Sequence, residues 1–189
     1  MTAAEEQMVL VDETDAVLGV AGKLETHREG RLHRAFSVIV WDRKGRLLLQ
    51  KRSIGKYHSG GLWTNACCGH PRPGEAAADG AARRLQEEMG FVCRLTGLGT
   101  IQYRAELDKG MIEHELVHVF RGVYDGVIAP NPDEAEGFQW VGLEELRADI
   151  ASTPQRFSAW LKQYMAAEWP MALALPEVGS SGGDPDKAG

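Results

Sequence analysis

Two prolines, an alanine-rich run and one glycine fix a single helix, and the fold has to be built around it. Pro71 and Pro73 keep the backbone out of helical geometry before about residue 74. From Ala76 to Met89 there is no proline and much alanine, the strongest helix former. Glu75 and Asp79 sit where the helix dipole favours negative charge, and Gly90 suits the left-handed residue that ends a helix. Arg83 and Glu87, like Arg84 and Glu88, are four apart and share a face. The run Leu62–Cys68 before it reads as a strand, and the link between carries Cys67, Cys68 and His70 among glycines and prolines. A strand, a reactive loop and a helix with carboxylates in its last turns read as a metal-assisted site. Taken alone, the charged pairs also fit ordinary surface ion pairs.

The rest of the chain alternates between strand and turn signals. Met8–Val11 and Ala16–Val20, separated by Asp12–Asp15, read as a hairpin. Lys23–Arg34 is polar and holds His27 and His33. Ala35–Trp41 is apolar and β-branched, Asp42–Gly45 turns, and Leu47–Gln50 follows, which reads as a second and stronger hairpin. Lys51, Arg52 and Lys56 make a basic loop around Gly55. Phe91–Leu95 and Ile101–Ala105 are expected strands, and Met111–Tyr124 is a long one that pairs with the latter through Asp108–Gly110. Gly137–Val141 reads as a strand, Leu143–Ile150 and Arg156–Glu168 as helices. Strands with a few helices interspersed predict an α/β or α+β sandwich. Its 189 residues suit one domain, expected over 1–170, with 171–189 a disordered tail rich in glycine and serine.

Charge and cysteine content exclude several classes. A net charge of −6 argues against nonspecific nucleic-acid binding and against an anionic membrane surface. No run approaches the ~20 apolar residues of a membrane span. Three cysteines, two of them adjacent, do not make a disulfide scaffold. The expectation is a cytoplasmic, reduced protein with no obligate protein partner.

Glu113 and Glu115 are two apart in a predicted strand, so both carboxylates face one way and His114 and His118 the other. Neighbouring carboxylates repel unless a cation or a shared proton relieves them. With histidines they would suit a borderline ion such as Mn²⁺ or Zn²⁺. The chain has six histidines, and the sequence does not choose among them.

The spacing Gly69, Glu75, Arg83, Leu85, Glu87, Glu88, Gly90, Phe91 resembles the Nudix box, G-x5-E-x7-R-E-U-x-E-E-x-G-U with U apolar. One position departs, because Arg84 stands where the box has a glutamate that helps hold magnesium. A positive charge there repels a cation, so the fold is expected and ordinary pyrophosphate hydrolysis is not. Trp63-Thr64-Asn65 followed by Cys68-Gly69-His70-Pro71, then Glu113-His114-Glu115 and Phe157-Ser158-Ala159-Trp160, resembles the type I isopentenyl-diphosphate isomerases. The competing expectations are a Nudix hydrolase of a nucleoside diphosphate derivative and a catalytically inactive Nudix binding module.

The resemblance implies a mixed sheet between helices and the interconversion of isopentenyl and dimethylallyl diphosphate. It implies that His27, His33, His70, Glu113 and Glu115 hold Mn²⁺ or Zn²⁺, with His27 on a spacing that varies in the family. Glu88 and the Cys68 carbonyl hold Mg²⁺ against the diphosphate, which Lys23, Arg52 and Lys56 contact. Glu115, helped by Tyr103, protonates the alkene, and Cys68 removes the second proton. Trp160 stabilises the cation between the two steps with its π face. A thiolate beside a metal or helix terminus is expected to have a lowered pKa. Strand alternation turns Cys67 to the core if Cys68 faces the site.

Overall fold

A computed structural model describes residues 6–56 and 58–167. The tail after residue 170, expected to be disordered, lies outside the described residues. β1 (Gln7–Val11) and β2 (Val17–Gly22) form the first hairpin. Lys23–Glu29 follows as a short helix, α1, closed by Gly30 at φ 64°. Polarity is the one signal that this stretch carries; seven residues are too few for a readable helical period, and burial of one face decides the state.

β3 (His33–Trp41) is the centre of the sheet. It pairs in parallel with β8 (Ile112–Val123) along its whole length, from His33–Glu115 to Trp41–Val123. Its other edge pairs with β6 (Cys67–Gly69). A strand covered on both faces reads as a near-continuous apolar run, as β3 does. The expected hairpin of β3 with β4 (Arg46–Arg52) closes at its turn, where Asp42 Oδ1 accepts from the amides of Lys44 and Arg46, but pairs only at Trp41–Leu47. Beyond that the strands diverge. The expected single strand 62–68 breaks at Ala66 into β5 (Trp63–Asn65), on β4, and β6, on β3. β9 (Ala135–Gly142) covers the far edge of β4.

β7 (Thr96–Glu106) pairs with β8 through the Asp108–Gly110 turn, as expected. No strand forms at 91–95: β8 already has β3 on one edge and β7 on the other, so the segment finds no edge to join. Phe91 instead stacks on Tyr124 at 4.1 Å.

The second helix, α2 (Ala77–Met89), matches its expected bounds to one residue. It packs Ala81, Leu85 and Met89 on Phe36, Val38, Val40 and Leu48 of one sheet face. Burying Leu85 and Met89 stabilises by about 2–3 kcal/mol each. Ala35, Ile39, Trp41, Leu47 and Leu49 point the other way, against α3 (Leu143–Ser152) and α4 (Ala159–Ala167). The α/β sandwich is therefore present, with one core on each side of the sheet. Among the described residues no helix is long and apolar enough to cross a membrane.

Candidate active site

Strand register does most of the assembly. His33 pairs with Glu115 across β3 and β8, and Glu115 with Tyr103 across β8 and β7. Three chemically active side chains thus lie in one row. Glu113 sits one pleat away on the same face. His114 and His118 turn to the other face, where they meet the Gly30 carbonyl and Asp15. α1 places Lys23 and His27 one turn apart, with His27 Nδ1 bonded to the Lys23 carbonyl at 2.8 Å. His70 follows β6 and brings Nε2 to 2.9 Å from Glu115 and 3.2 Å from His33 Nε2.

The donor set fits a divalent ion. One donor atom each from His27, His33, His70 and Glu115 lies within 4.8 Å of the others, and none of the four residues is exposed. Ligands with bonds of about 2.1 Å to one ion lie about 3 Å apart when adjacent and about 4.2 Å when opposite. The His33–Glu115 separation of 3.6 Å and the two shorter ones fall in or near that range. His33 Nδ1 is spent on the Arg31 carbonyl at 2.9 Å, which turns Nε2 to the centre.

Tyr103 links the carboxylates. Its hydroxyl is 2.9 Å from Glu113 and 2.8 Å from Glu115. A phenol has one proton, so one of these contacts is completed by a proton on a carboxyl. Burial, then the charge of Glu115, pushes Glu113 well above the carboxylate range. Burial acts on Glu115 too, but its contacts with His33 and His70 outweigh it and hold it well below. Of the two carboxyls, Glu113 is the one that burial and its neighbour push toward the protonated form.

Cys67 and Cys68 point to opposite faces. Cys67 is in the core under α2, while Cys68 Sγ lies 3.4 Å from Ser37 Oγ and 3.3 Å from Asn65 Oδ1. Burial acts on the thiol in the direction opposite to the lowering expected beside a metal. Burial pushes it up to about 12, opposed by the Ser37 and Asn65 bonds and reinforced by the charges of Glu115 and Glu88. Burial therefore favours the thiol over the thiolate.

A cavity of about 330 Å³ connects these groups with Lys23, Arg52, Lys56, Arg84, Glu88 and Trp160. The basic residues have partners of their own. Lys23 pairs with Glu6 at 2.6 Å, and Lys56 with Glu134. Arg52 donates to the carbonyls of Ser59 and His58 and lies 5.1 Å from the Trp160 ring centre. Trp160 is fixed by its own Nε1–H, donated to Thr64 Oγ1 at 2.5 Å. Glu88 accepts from Gln50 at 2.9 Å and from Arg84 at 2.7 Å. Arg84, standing where the box has a further glutamate, pairs with both carboxylates that the box retains here, Glu87 and Glu88. Glu75 and Arg83 serve structure, with two bonds of 2.8 Å tying the loop to α2.

Sequence reasoning singled out neither His58, whose ring is 5.9 Å from that of His27, nor Ser37, Gln50 and Glu134. Each lies in a loop or an apolar strand with no spacing to mark it. Nearness in sequence to Lys56 was the one signal available for His58.

A fold with both faces of a mixed sheet covered, and a helix delivering Glu88 to a pocket behind a G-x5-E-x7-R loop, defines a NUDIX domain, and the NUDIX domain family model matches residues 31–161. A solved Deinococcus radiodurans protein, DR0079, shares the fold with a TM-score of 0.72 at 20% identity, over 86% of this chain and 98% of that one. The isopentenyl-diphosphate Delta-isomerase 2 of Aromatoleum aromaticum is 52% identical over 157 residues, 83% of each chain. The isopentenyl-diphosphate Delta-isomerase of Burkholderia multivorans is 49% identical over 156 residues, 82% of this chain and 89% of that one. The chain belongs to the isopentenyl-diphosphate Delta-isomerase family, a branch of the NUDIX fold.

Proposed function

We propose that the cavity takes isopentenyl diphosphate and moves its double bond by one position, giving dimethylallyl diphosphate, with Glu115 and Cys68 as the two proton-transfer groups. The observation that carries this reading is that both groups open onto one cavity that also holds Trp160 and the basic side chains. In this direction the pair starts with the proton on Glu115 and Cys68 as thiolate, one proton having moved from the thiol to the carboxylate. That proton passes from Glu115 to the terminal alkene carbon, leaving a tertiary cation. Cys68 then takes a proton from the carbon next to the one bearing the diphosphate oxygen. Tyr103 holds Glu115 at 2.8 Å through both steps. The face of Trp160 stabilises the cation without offering it a nucleophile. Turnover in this direction ends with Cys68 as thiol and Glu115 ionised, the distribution that burial and the imidazoles favour. The reverse reaction starts from it.

An ion held by His27, His33, His70, Glu113 and Glu115 would draw electron density from Glu115 and make its carboxyl a stronger acid. Its softer, nitrogen-rich donor set suits Mn²⁺ or Zn²⁺. Mg²⁺, held by Glu88 and the Cys68 carbonyl, would neutralise the diphosphate. Lys23, Arg52 and Lys56 bind the remaining phosphate oxygens, with Lys23 and Lys56 giving up Glu6 and Glu134 to do so. The hydrolase alternative is disfavoured because Arg84 takes the place of a further metal-holding carboxylate and pairs with Glu87, Glu88 and Glu134 at 2.7–3.1 Å, leaving Glu88 to hold a single Mg²⁺ once the diphosphate competes for the guanidinium.

Proton NMR of isopentenyl diphosphate in D₂O with Mg²⁺ and enzyme tests the proposal. Conversion with deuterium uptake is expected, slowed at least ~1,000-fold in Cys68→Ala. An unchanged spectrum from folded, metal-loaded wild type would sink the reading.

A further inference from the structure

His58 is an unassigned histidine in the same cavity. It lies in the loop between β4 and β5 and is only 4% exposed. Several contacts fix its backbone. Arg52 donates to the His58 carbonyl at 3.3 Å and to the Ser59 carbonyl at 3.2 Å. The Ser59 amide donates to Asp108 at 3.0 Å, and Ser59 itself is left-handed at φ 52°, a conformation rare outside glycine. These contacts turn the ring inward. Nδ1 meets Ser59 Oγ at 3.2 Å, and Nε2 faces Glu113 Oε1 at 3.7 Å.

That separation is too long for a hydrogen bond. It lies within the range of about 3–4.2 Å between two ligands of one ion. Donor atoms of His27, His58 and Glu113 all lie within 4.8 Å of one another, as do those of His27, His33, His70 and Glu115. His27 belongs to both groups. Its Nδ1 is committed to the Lys23 carbonyl, so the same nitrogen, Nε2, serves both. One imidazole nitrogen binds one ion. The two groups therefore adjoin at His27, and one ion there would draw His58 and Glu113 in toward His33, His70 and Glu115, from which they are not all within 4.8 Å.

We propose that His58 is a sixth protein ligand of this centre, joining through Nε2 on the Glu113 side. The inference rests on the metal-centre reading above and extends it from three histidines to four. Four imidazoles and two carboxylates shift the preference further toward Mn²⁺, Zn²⁺ or Co²⁺ and away from Mg²⁺. Six protein donors around one ion would shield it from water, which a carbocation reaction must exclude.

The decisive experiment counts nitrogens. Wild-type protein labelled with ¹⁵N-histidine and loaded with one equivalent of Mn²⁺ is examined by pulsed EPR. Four coupled imidazoles are expected. Three would overturn the assignment of His58. None would overturn the metal centre itself, which keeps the two failures apart. His58→Gln, with its fold checked by circular dichroism, is expected to weaken Co²⁺ about 10–100-fold in chelator competition and to change the Co²⁺ absorption bands. An affinity within twofold and superimposable bands would also overturn it. If that variant misfolds, the wild-type count stands by itself.

Discussion

Tyr103 has one proton and two carboxylates to satisfy. It is buried at 8% exposure, and burial with the two neighbouring charges pushes its hydroxyl well above the ordinary phenol range, so it acts as a neutral donor. Tyr103→Phe leaves Glu113 and Glu115 without the bridge between them. The expected result is a loss in kcat of about 100- to 10,000-fold with KM little changed, because the phenol touches Glu115 and no phosphate-binding group. Steady-state kinetics on isopentenyl diphosphate checks the split. A comparable rise in KM would move Tyr103 into substrate binding. At this scale the sequence was legible where a residue belonged to a pattern. Glu113 and Glu115 share a face by strand alternation alone, and Cys67 and Cys68 divide between core and cavity for the same reason. The thiol's pKa was not legible. It depends on how completely Cys68 is enclosed, which neighbours in sequence do not report.

At the scale of elements, α2 and the loop before it are held by Glu75. Its carboxylate takes two bonds from Arg83 and one from the Arg72 amide, which with Arg83's charge lower its pKa from 4.5 to about 2. A carboxylate whose folded pKa is depressed stabilises the protein above its unfolded pKa and loses that contribution as pH falls through the folded value. Glu75→Gln is therefore expected to cost roughly 1–2 kcal/mol at pH 7, allowing for solvent screening. The difference from wild type should shrink between pH 4.5 and about 2. Urea unfolding at several pH values measures it; a gap independent of pH would show that Glu75 acts by packing. α2 was readable to one residue because its ends carry local signals, proline before and glycine after. α1 was not, since it is short and its helical state comes from burying Thr26 and His27.

For the whole molecule, the proposed metal centre is a cross-link. Its candidate ligands come from α1, β3, the loop after β6 and β8, and His58 would add the loop between β4 and β5. An ion that binds only the folded chain stabilises it by mass action, by about 2.7 kcal/mol at a hundredfold excess over Kd. Chelator treatment should lower Tm by several degrees, and returning Mn²⁺ or Zn²⁺ should restore it. A Tm indifferent to both would mean that the cluster is held by hydrogen bonds alone.

The sequence by itself determined the elements with a period or a cap, the class of fold, and the family to which the chain belongs. These follow from local rules: alternation, helix termini, and a spacing that holds wherever the helix is placed. Tertiary structure decided which distant residues meet. The parallel register of β3 on β8 brings His33 to Glu115, and the break at Ala66 sends one continuous apolar run onto two different strands. It also turned a loop histidine into a neighbour of His27 and set Cys68 between Ser37 and Asn65. Register, burial and the meeting of loops are properties of the packed chain, and no spacing along the sequence encodes them.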